Sequence, residues 1–190
     1  KVISRSTFDL QTVLDTLTEV VRIRAESGWP PLAAPIGQIL GSQALLNILS
    51  ARRYGTVYDP DTEVLVTVGA TEAISAALLG LVEPGSEVVL IEPYYDSYAA
   101  AVALAGARRR TARLVPDGDG FVLDIDSLRA AVTPATRMIV VNSPHNPTGT
   151  VLGRADLTAI AEIACANDLL VLADEVYEHL VFDGRHVPIS

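Results

Sequence analysis

The chain has 190 residues, a length that fits one domain or part of a larger protein. Hydrophobic residues make up 49% of it and charged residues 19%, a balance that suits a packed core and excludes general disorder. Acidic residues outnumber basic ones by 23 to 14, and the net charge of −9 argues against nucleic acid as a partner, because phosphate binding requires a basic face.

The sequence also carries no sign of a membrane or of an oxidising compartment. No apolar run approaches the roughly 18 residues of a membrane span, and no signal peptide opens the chain. The single cysteine, Cys165, has neither a disulfide partner nor metal-ligand companions, so we expect a small buried residue there and no metal site. These features predict a cytoplasmic protein without a membrane partner.

Residues 1–53 are predicted to form a helical segment of their own. A first helix is indicated over residues 6–24, with Ser6 as a possible N-cap, and a loop at 28–35 by its prolines. A second helix is predicted over residues 38–53. The apolar face predicted for the first helix consists of Phe8, Leu10, Val13, Leu14, Leu17 and Val21.

From residue 54 to residue 190 the chain alternates between predicted strands and helices. The strands are expected at 62–68, 87–92, 108–115, 137–142 and 169–175. The helices are expected at 71–82, 95–106, 124–132 and 154–168. Continuous apolar strands separated by helices predict an α/β fold, with a mostly parallel sheet covered by helices on both faces.

Ligands of such sheets bind at the carboxyl ends of the strands, so the residues that follow each strand are the candidates for a site. After the first strand, Gly69 and the small residues behind it would let helix N–H groups hold a phosphate, although Thr71 could simply be an N-cap. After the second, the segment PYYDSY offers a tyrosine to stack on a flat ring, although its aromatics could merely fill space.

Two further strand ends are more polar. In NSPHNPTG, prolines on both sides of His145 and Asn146 restrict the backbone and would aim the Asn146 amide, while His145 is expected to be a turn residue. The candidate ligand-binding side chains there are those of Asn142, Ser143, His145, Asn146 and Thr148.

In ADEVYEH, Asp174 ends a fully apolar strand, where a carboxylate is costly unless it meets a cation or hydrogen-bond donors. Glu175 is expected to point the other way, and Tyr177 to return to the side of Asp174. An Asp–Glu pair would also suit Mg²⁺ and phosphoryl transfer, but that chemistry calls for a P-loop lysine. Lys1 is the only lysine in the chain.

The four segments VTVGATEAI, IEPYYDSY, NSPHNPTG and ADEVYEHLVFDG together resemble the class I/II aminotransferases, pyridoxal-phosphate enzymes of fold type I. The resemblance runs from Tyr54 to Ser190 and is nearest the kynurenine and N-succinyldiaminopimelate aminotransferases. It implies that residues 54–190 are part of the large, cofactor-binding domain, and that the protein moves an amino group between an amino acid and a 2-oxo acid, as a homodimer.

The resemblance also implies a role for each candidate residue. The backbone of Gly69, Ala70 and Thr71 would hold the cofactor phosphate, and Tyr95 would stack on the pyridine ring. The remaining contacts would be made by polar side chains: Asp174 with the ring nitrogen, and Asn146 and Tyr177 with the phenolic oxygen.

The family's catalytic lysine, which forms a Schiff base with the cofactor, lies some tens of residues beyond the D-E-V-Y segment, and the chain stops at Ser190. We therefore expect no catalytic residue in this chain and no turnover by it alone. Two alternatives remain open at this point: a non-catalytic, shortened relative, and a pyridoxal-phosphate-dependent C–S or β-lyase that shares the same cofactor residues.

Overall fold

The computed structural model describes residues 10–30 and 62–189, with residues 41, 44, 45, 47, 48, 51, 52, 55, 58 and 59 between them. Contacts within the chain divide it into two compact units, residues 1–65 and residues 66–190. The boundary predicted at residue 53 remains a prediction.

The first unit contains the helix α1 (Leu10–Glu26), and its described residues between 41 and 52 are helical as well. Their small core joins Ile23 to Ala44, with Val20 packed against the pair. The apolar face predicted for this helix is not the face that is buried: its described members are 44% to 75% exposed. The neighbouring helical residues pack instead on the side of Val20 and Ile23. Ser6 and Phe8 lie outside the described residues.

The second unit is an α/β sheet with the strand order β3-β2-β1-β4-β5. The pairs β1·β2, β1·β4 and β4·β5 are parallel, and β2·β3 is antiparallel. The strands are β1 (Glu87–Glu92), β2 (Arg108–Asp117), β3 (Gly120–Leu123), β4 (Thr136–Asn142) and β5 (Leu170–Asp174). The helices are α2 (Gly69–Leu81), α3 (Asp96–Leu104), α4 (Ile125–Ala131) and α5 (Arg154–Ala166).

The two central strands, β1 and β4, are largely buried on both faces, as their continuous apolar runs predict. Side chains alternate along each strand: Val88 and Leu90 of β1 point to a core shared with α2 and α3, whereas Val89 and Ile91 point to a core shared with α4 and α5. The mostly parallel sheet with helices on both faces is therefore confirmed.

The strand predicted at residues 62–68 is wrong. Residues 64–67 have no regular secondary structure, and the side chains of Leu65 and Val68 are 81% and 89% exposed. A strand needs a neighbour that takes up its backbone hydrogen bonds, and none of the five strands of the sheet pairs with this segment.

Two smaller features differ from the predicted elements. The sequence D-G-D-G is a turn, as its residues indicate, but it joins β2 to a strand that was not predicted, β3, with Gly118 in the left-handed region at φ 57°. Cys165 is exposed, because the buried face of α5 carries Leu157, Ile160, Ile163 and Ala164, and the next residue falls outside it.

Candidate functional site

The carboxyl ends of β1, β4 and β5 lie at one edge of the sheet, because these three strands are parallel. Asn142 and Asp174, the last residues of β4 and β5, are direct partners in the register of the two strands. The chain leaves β4 into NSPHNPTG and β5 into the D-E-V-Y turn, so the fold brings these two sequence segments together.

Asn142 is the side chain that joins these strand ends. Its amide nitrogen donates to the backbone carbonyl of Asp174 at 2.9 Å, and its amide oxygen accepts from the backbone N–H of Asn146 at 2.6 Å. Only 3% of Asn142 is exposed. This amide therefore fixes the backbone of both residues from inside the protein and does not face the crevice, where the sequence had placed it among the ligand-binding candidates.

Three other polar side chains of NSPHNPTG, those of Ser143, His145 and Thr148, are also engaged within the protein. Ser143 Oγ accepts from the backbone N–H of Leu152 at 3.0 Å, and His145 Nδ1 lies 2.8 Å from Thr148 Oγ1. Burial lowers the pKa of His145, which keeps the ring neutral and suits a turn residue. The Asn146 side chain makes no hydrogen bond within the part of the chain that the structure describes, so its amide is available to a ligand.

Asp174 is 8% exposed, and both of its carboxylate oxygens have a donor. Tyr98 Oη donates to Oδ2 at 2.5 Å, and the backbone N–H of Val176 donates to Oδ1 at 3.2 Å. No arginine, lysine or histidine of the described residues pairs with it. The sequence predicted that this carboxylate needs donors but missed Tyr98, whose signal is its place three residues after Tyr95 on the apolar face of a helix.

The neighbouring carboxylate, Glu175, points away from Asp174 as expected. Its Oε1 accepts from the backbone N–H of Ile189 at 3.3 Å, and its Oε2 lies 3.3 Å from Nε2 of the buried His186. The two acids of the D-E pair therefore serve different parts of the fold, which removes the geometric basis for the Mg²⁺ alternative at this pair.

Two tyrosines of the predicted site remain accessible. Tyr95 directly precedes α3, is 38% exposed and meets the ring of Tyr98 edge to face, with centroids 5.8 Å apart and an interplanar angle of 87°. Tyr177 lies half-buried in the turn after β5. Neither hydroxyl is hydrogen-bonded to another described residue. Of the aromatics in PYYDSY, Tyr98 fills the core and Tyr95 borders the crevice.

The helix α2 begins at Gly69, which has a φ of 81°. Its N-cap, Val68, has no side-chain acceptor to offer, so Thr71 is not the N-cap that the sequence left open. The Glu72 carboxylate accepts from the backbone N–H of Val68. The N–H groups of the first helical turn, including those of Ala70 and Thr71, point out of the helix end without partners inside it. Such a helix start attracts an anion.

A cavity of about 350 Å³ lies between α2 and β5. It is lined by Ala70, Ala73, Ile74, Ala77, Leu172, Ala173, Asp174, Glu175 and Val176. Of the predicted site residues, Ala70 and Asp174 line this cavity, whereas Tyr95, Asn146 and Tyr177 do not. An apolar cavity that lies between a buried carboxylate and the start of a helix suits a flat ligand that carries a protonated nitrogen and a phosphate.

The site residues predicted from the sequence all belong to this second unit, while Lys1 lies outside the described residues. No helix among the described residues is both long and apolar enough to cross a membrane.

Comparison with known proteins gives consistent results. Residues 11–189 match the profile of aminotransferase class I and II. The chain is 62% identical, over 161 residues, to a probable N-succinyldiaminopimelate aminotransferase of Mycobacterium tuberculosis, covering 84% of this chain and 39% of that protein. It is 40% identical to the methionine aminotransferase of Escherichia coli, covering 76% of this chain and 38% of that protein.

Solved structures agree with the sequence comparison. The structure of N-succinyldiaminopimelate aminotransferase from Mycobacterium tuberculosis matches with a TM-score of 0.75 at 56% identity, covering 93% of this chain and 46% of that one. An aromatic aminotransferase from Pyrococcus horikoshii matches with a TM-score of 0.72 at 39% identity, covering 76% of this chain and 39% of that one. The chain thus spans about two fifths of the length of its curated relatives.

Proposed function

Because this chain belongs to the class I and II aminotransferases, whose members use pyridoxal phosphate, we propose that residues 66–190 carry the cofactor-binding site of such an enzyme. The protein would move an amino group between an amino acid and a 2-oxo acid. When bound, pyridoxal phosphate supplies the electron sink for breaking the Cα–H bond of an amino acid.

Each predicted residue has a distinct task in this proposal. The Asp174 carboxylate holds the proton on the ring nitrogen, and the Asn146 amide and the Tyr177 hydroxyl hold the phenolic oxygen. Tyr95 covers one face of the ring. Gly69 leaves the helix start open, and the N–H groups of Ala70 and Thr71 bind the phosphate.

The observation that carries the proposal is the bridge made by Asn142. One buried amide holds the backbone of both Asp174 and Asn146, at 2.9 Å and 2.6 Å, while the Asn146 amide is left without a partner among the described residues. This turn is tied to the strand end that carries the buried Asp174 carboxylate, which has a geometric reason if that carboxylate and the Asn146 amide contact the same small ring.

The amino donor we propose is N-succinyldiaminopimelate, since the relative with 62% identity bears that name and the methionine aminotransferase shares only 40%. We further propose a cytoplasmic homodimer without nucleic-acid or membrane partners. The net charge of −9 supports the exclusion of nucleic acid.

The test uses the full-length protein that the gene encodes. Pyridoxal phosphate is added to the purified protein, binding is followed by absorbance, and amino transfer is measured with N-succinyldiaminopimelate, with methionine and with a panel of 2-oxo acids. We expect binding, and faster transfer from N-succinyldiaminopimelate than from methionine. Absence of cofactor binding would refute the proposal, and a preference for methionine would overturn the substrate assignment. Release of pyruvate, ammonia and a thiol from an added cysteine S-conjugate would support a lyase.

The variant Asp174→Ala tests the assignment of the ring nitrogen. It should abolish amino transfer and leave the fold largely intact, because one buried carboxylate at a strand end is lost while the sheet pairing of β4 and β5 stays. Near-normal turnover would overturn this assignment.

A further inference from the structure

Tyr98 carries a buried hydroxyl that the family resemblance did not assign. It is the third residue of α3, is 2% exposed and packs in the core between the sheet, α2 and α3. Its hydroxyl donates to Asp174 Oδ2 at 2.5 Å across 76 residues of sequence. A core of this kind would accept phenylalanine, so the hydroxyl calls for a reason beyond packing.

The surroundings of Asp174 supply that reason. Among the described residues, its other oxygen, Oδ1, accepts only from the backbone N–H of Val176 at 3.2 Å. A buried carboxylate keeps its charge only if donors replace the water it has lost, and it otherwise takes up a proton and becomes neutral. Burial, and after it the hydrogen bond to Asp174, raises the pKa of Tyr98 well above its usual value. The hydroxyl therefore remains a protonated donor over the working pH range.

Tyr98 also touches the second predicted cofactor residue on this side of the crevice. The ring of Tyr95 meets the ring of Tyr98 edge to face at 5.8 Å, an arrangement that aromatic pairs favour. One buried side chain therefore contacts both the carboxylate and the accessible aromatic ring.

We propose that Tyr98 is a positioning residue that holds the Asp174 carboxylate in a fixed orientation, so that the cofactor's ring nitrogen keeps its proton. The proposal rests on the proposed function, because it needs pyridoxal phosphate in the site. A carboxylate that faces the ring nitrogen stabilises the protonated ring, and the hydrogen bond from Tyr98 to Oδ2 fixes which way the carboxylate faces. Without that hydrogen bond the carboxylate can turn, and its contact with the ring nitrogen weakens.

The test compares Tyr98→Phe with the wild-type full-length protein, each loaded with pyridoxal phosphate labelled with ¹⁵N in the ring. Phenylalanine keeps the packing and the contact with Tyr95 and removes only the hydroxyl. We expect the ring nitrogen, followed by its ¹⁵N resonance, to lose its proton about one pH unit lower in the variant, which corresponds to a tenfold change in the proton equilibrium. Cofactor affinity should fall about tenfold, as expected for one hydrogen bond to a charged group.

Tyr94→Phe is the matched control, because it removes a hydroxyl from the same loop that makes no hydrogen bond to Asp174. It should leave both the ¹⁵N titration and the affinity at their wild-type values. A Tyr98→Phe protein that titrates like the wild type would overturn the inference. A wild-type protein that binds no pyridoxal phosphate would instead overturn the proposed function, so the two failures are distinguishable.

A double-mutant cycle shows whether Tyr98 acts through Asp174. In an Asp174→Ala background, Tyr98→Phe should cause little further loss of cofactor affinity, and a full additional tenfold loss would contradict the proposed route. If Tyr98→Phe does not fold, the coupling between Tyr98 and Asp174 is measured instead from the ionisation of the Tyr98 hydroxyl. The Tyr98 hydroxyl, followed by its ¹³Cζ resonance, should ionise at lower pH in Asp174→Ala than in the wild type, and an unchanged ionisation would overturn the inference.

Discussion

Replacing Asn142 by alanine removes the bridge between the two strand ends that carry the site. The substitution deletes the hydrogen bond to the Asp174 carbonyl and the one from the Asn146 N–H, at 2.9 Å and 2.6 Å. The Asp174 carbonyl retains a second donor, because the backbone N–H of Ser143 lies 3.2 Å from it. The Asn146 N–H, by contrast, loses its only acceptor among the described residues.

The expected cost follows from this asymmetry. A net hydrogen bond contributes about 1 kcal/mol, and a partly buried donor left without a partner costs about 1 kcal/mol more, so we expect Asn142→Ala to lower the free energy of unfolding by about 2 kcal/mol. Without the bridge, the Asn146 amide is no longer held in place. Affinity for pyridoxal phosphate should therefore fall about tenfold, a loss of about 1.4 kcal/mol in binding free energy. Urea unfolding and a cofactor titration of the full-length protein measure the two quantities.

Two further variants separate this explanation from a general loss of stability. Asn142→Asp keeps an acceptor for the Asn146 N–H but turns a second carboxylate oxygen towards the Asp174 carbonyl, so we expect it to be at least as damaging as alanine. Asn167→Ala removes one amide whose nitrogen donates to the Ile163 carbonyl at 2.8 Å at the end of α5. We expect it to leave cofactor affinity unchanged. A loss below about 0.5 kcal/mol in Asn142→Ala, with wild-type affinity, would refute the bridge.

Three other predictions concern different parts of the second unit. Burial lowers the pKa of His145 below its value in the unfolded chain, so the unfolded state binds more protons at low pH. The stability that the neutral ring contributes is therefore complete above pH 6.5 and is lost as the pH falls below it. His145→Gln should flatten this part of the curve of unfolding free energy against pH, and an unchanged slope would contradict the assignment. Leu128→Ala should lower the free energy of unfolding by about 3 kcal/mol, because Leu128 is 0% exposed. Leu104→Ala, at a position that is 73% exposed, should change it by less than about 0.5 kcal/mol. Similar urea midpoints for both variants would count against the described core. Tyr95→Ala should weaken retention of pyridoxal phosphate during dialysis more than it lowers the urea midpoint, and unchanged retention would return Tyr95 to a space-filling role.

The elements of the second unit were predictable where the signal is local. The apolar run EVVLIE forms β1 at the residues expected, and Asp124 accepts from the Ser127 N–H at 2.9 Å to begin α4 near its predicted start. The strand at 62–68 has the same kind of apolar run but does not form, because β structure also requires a partner strand, which no local pattern encodes. The exposed apolar face of α1 fails for a similar reason, since helical spacing identifies a face but not what packs against it.

In the candidate site, too, local motifs identified some residues and missed the contacts that hold them. Short motifs brought Asn146, Asp174, Tyr95 and the start of α2 into consideration, because strand order in a parallel sheet places the carboxyl ends together. What holds those residues in place was not predictable from the motifs. Asn142 was counted as a ligand-binding side chain and is an internal bridge. Tyr98 was considered only as one of the aromatics of PYYDSY that could stack or fill space, although it contacts Asp174 directly.

The two residues that were misjudged share a physical feature, which explains why the motif alone misplaced them. Asn142 is 3% exposed and Tyr98 is 2% exposed, so each acts on the crevice from behind, through a hydrogen bond to Asp174. Asn142 holds the backbone carbonyl of Asp174, whereas Tyr98 holds its side chain, and the two interactions therefore control different properties of the site. Loss of the Asn142 bridge should alter stability and affinity together, while loss of the Tyr98 hydroxyl should alter the proton on the ring nitrogen with a smaller effect on stability. If the loss of stability and the change in the ring nitrogen's proton stand in the same ratio in both variants, the strand end responds as one rigid piece. Neither side chain would then have a separate role.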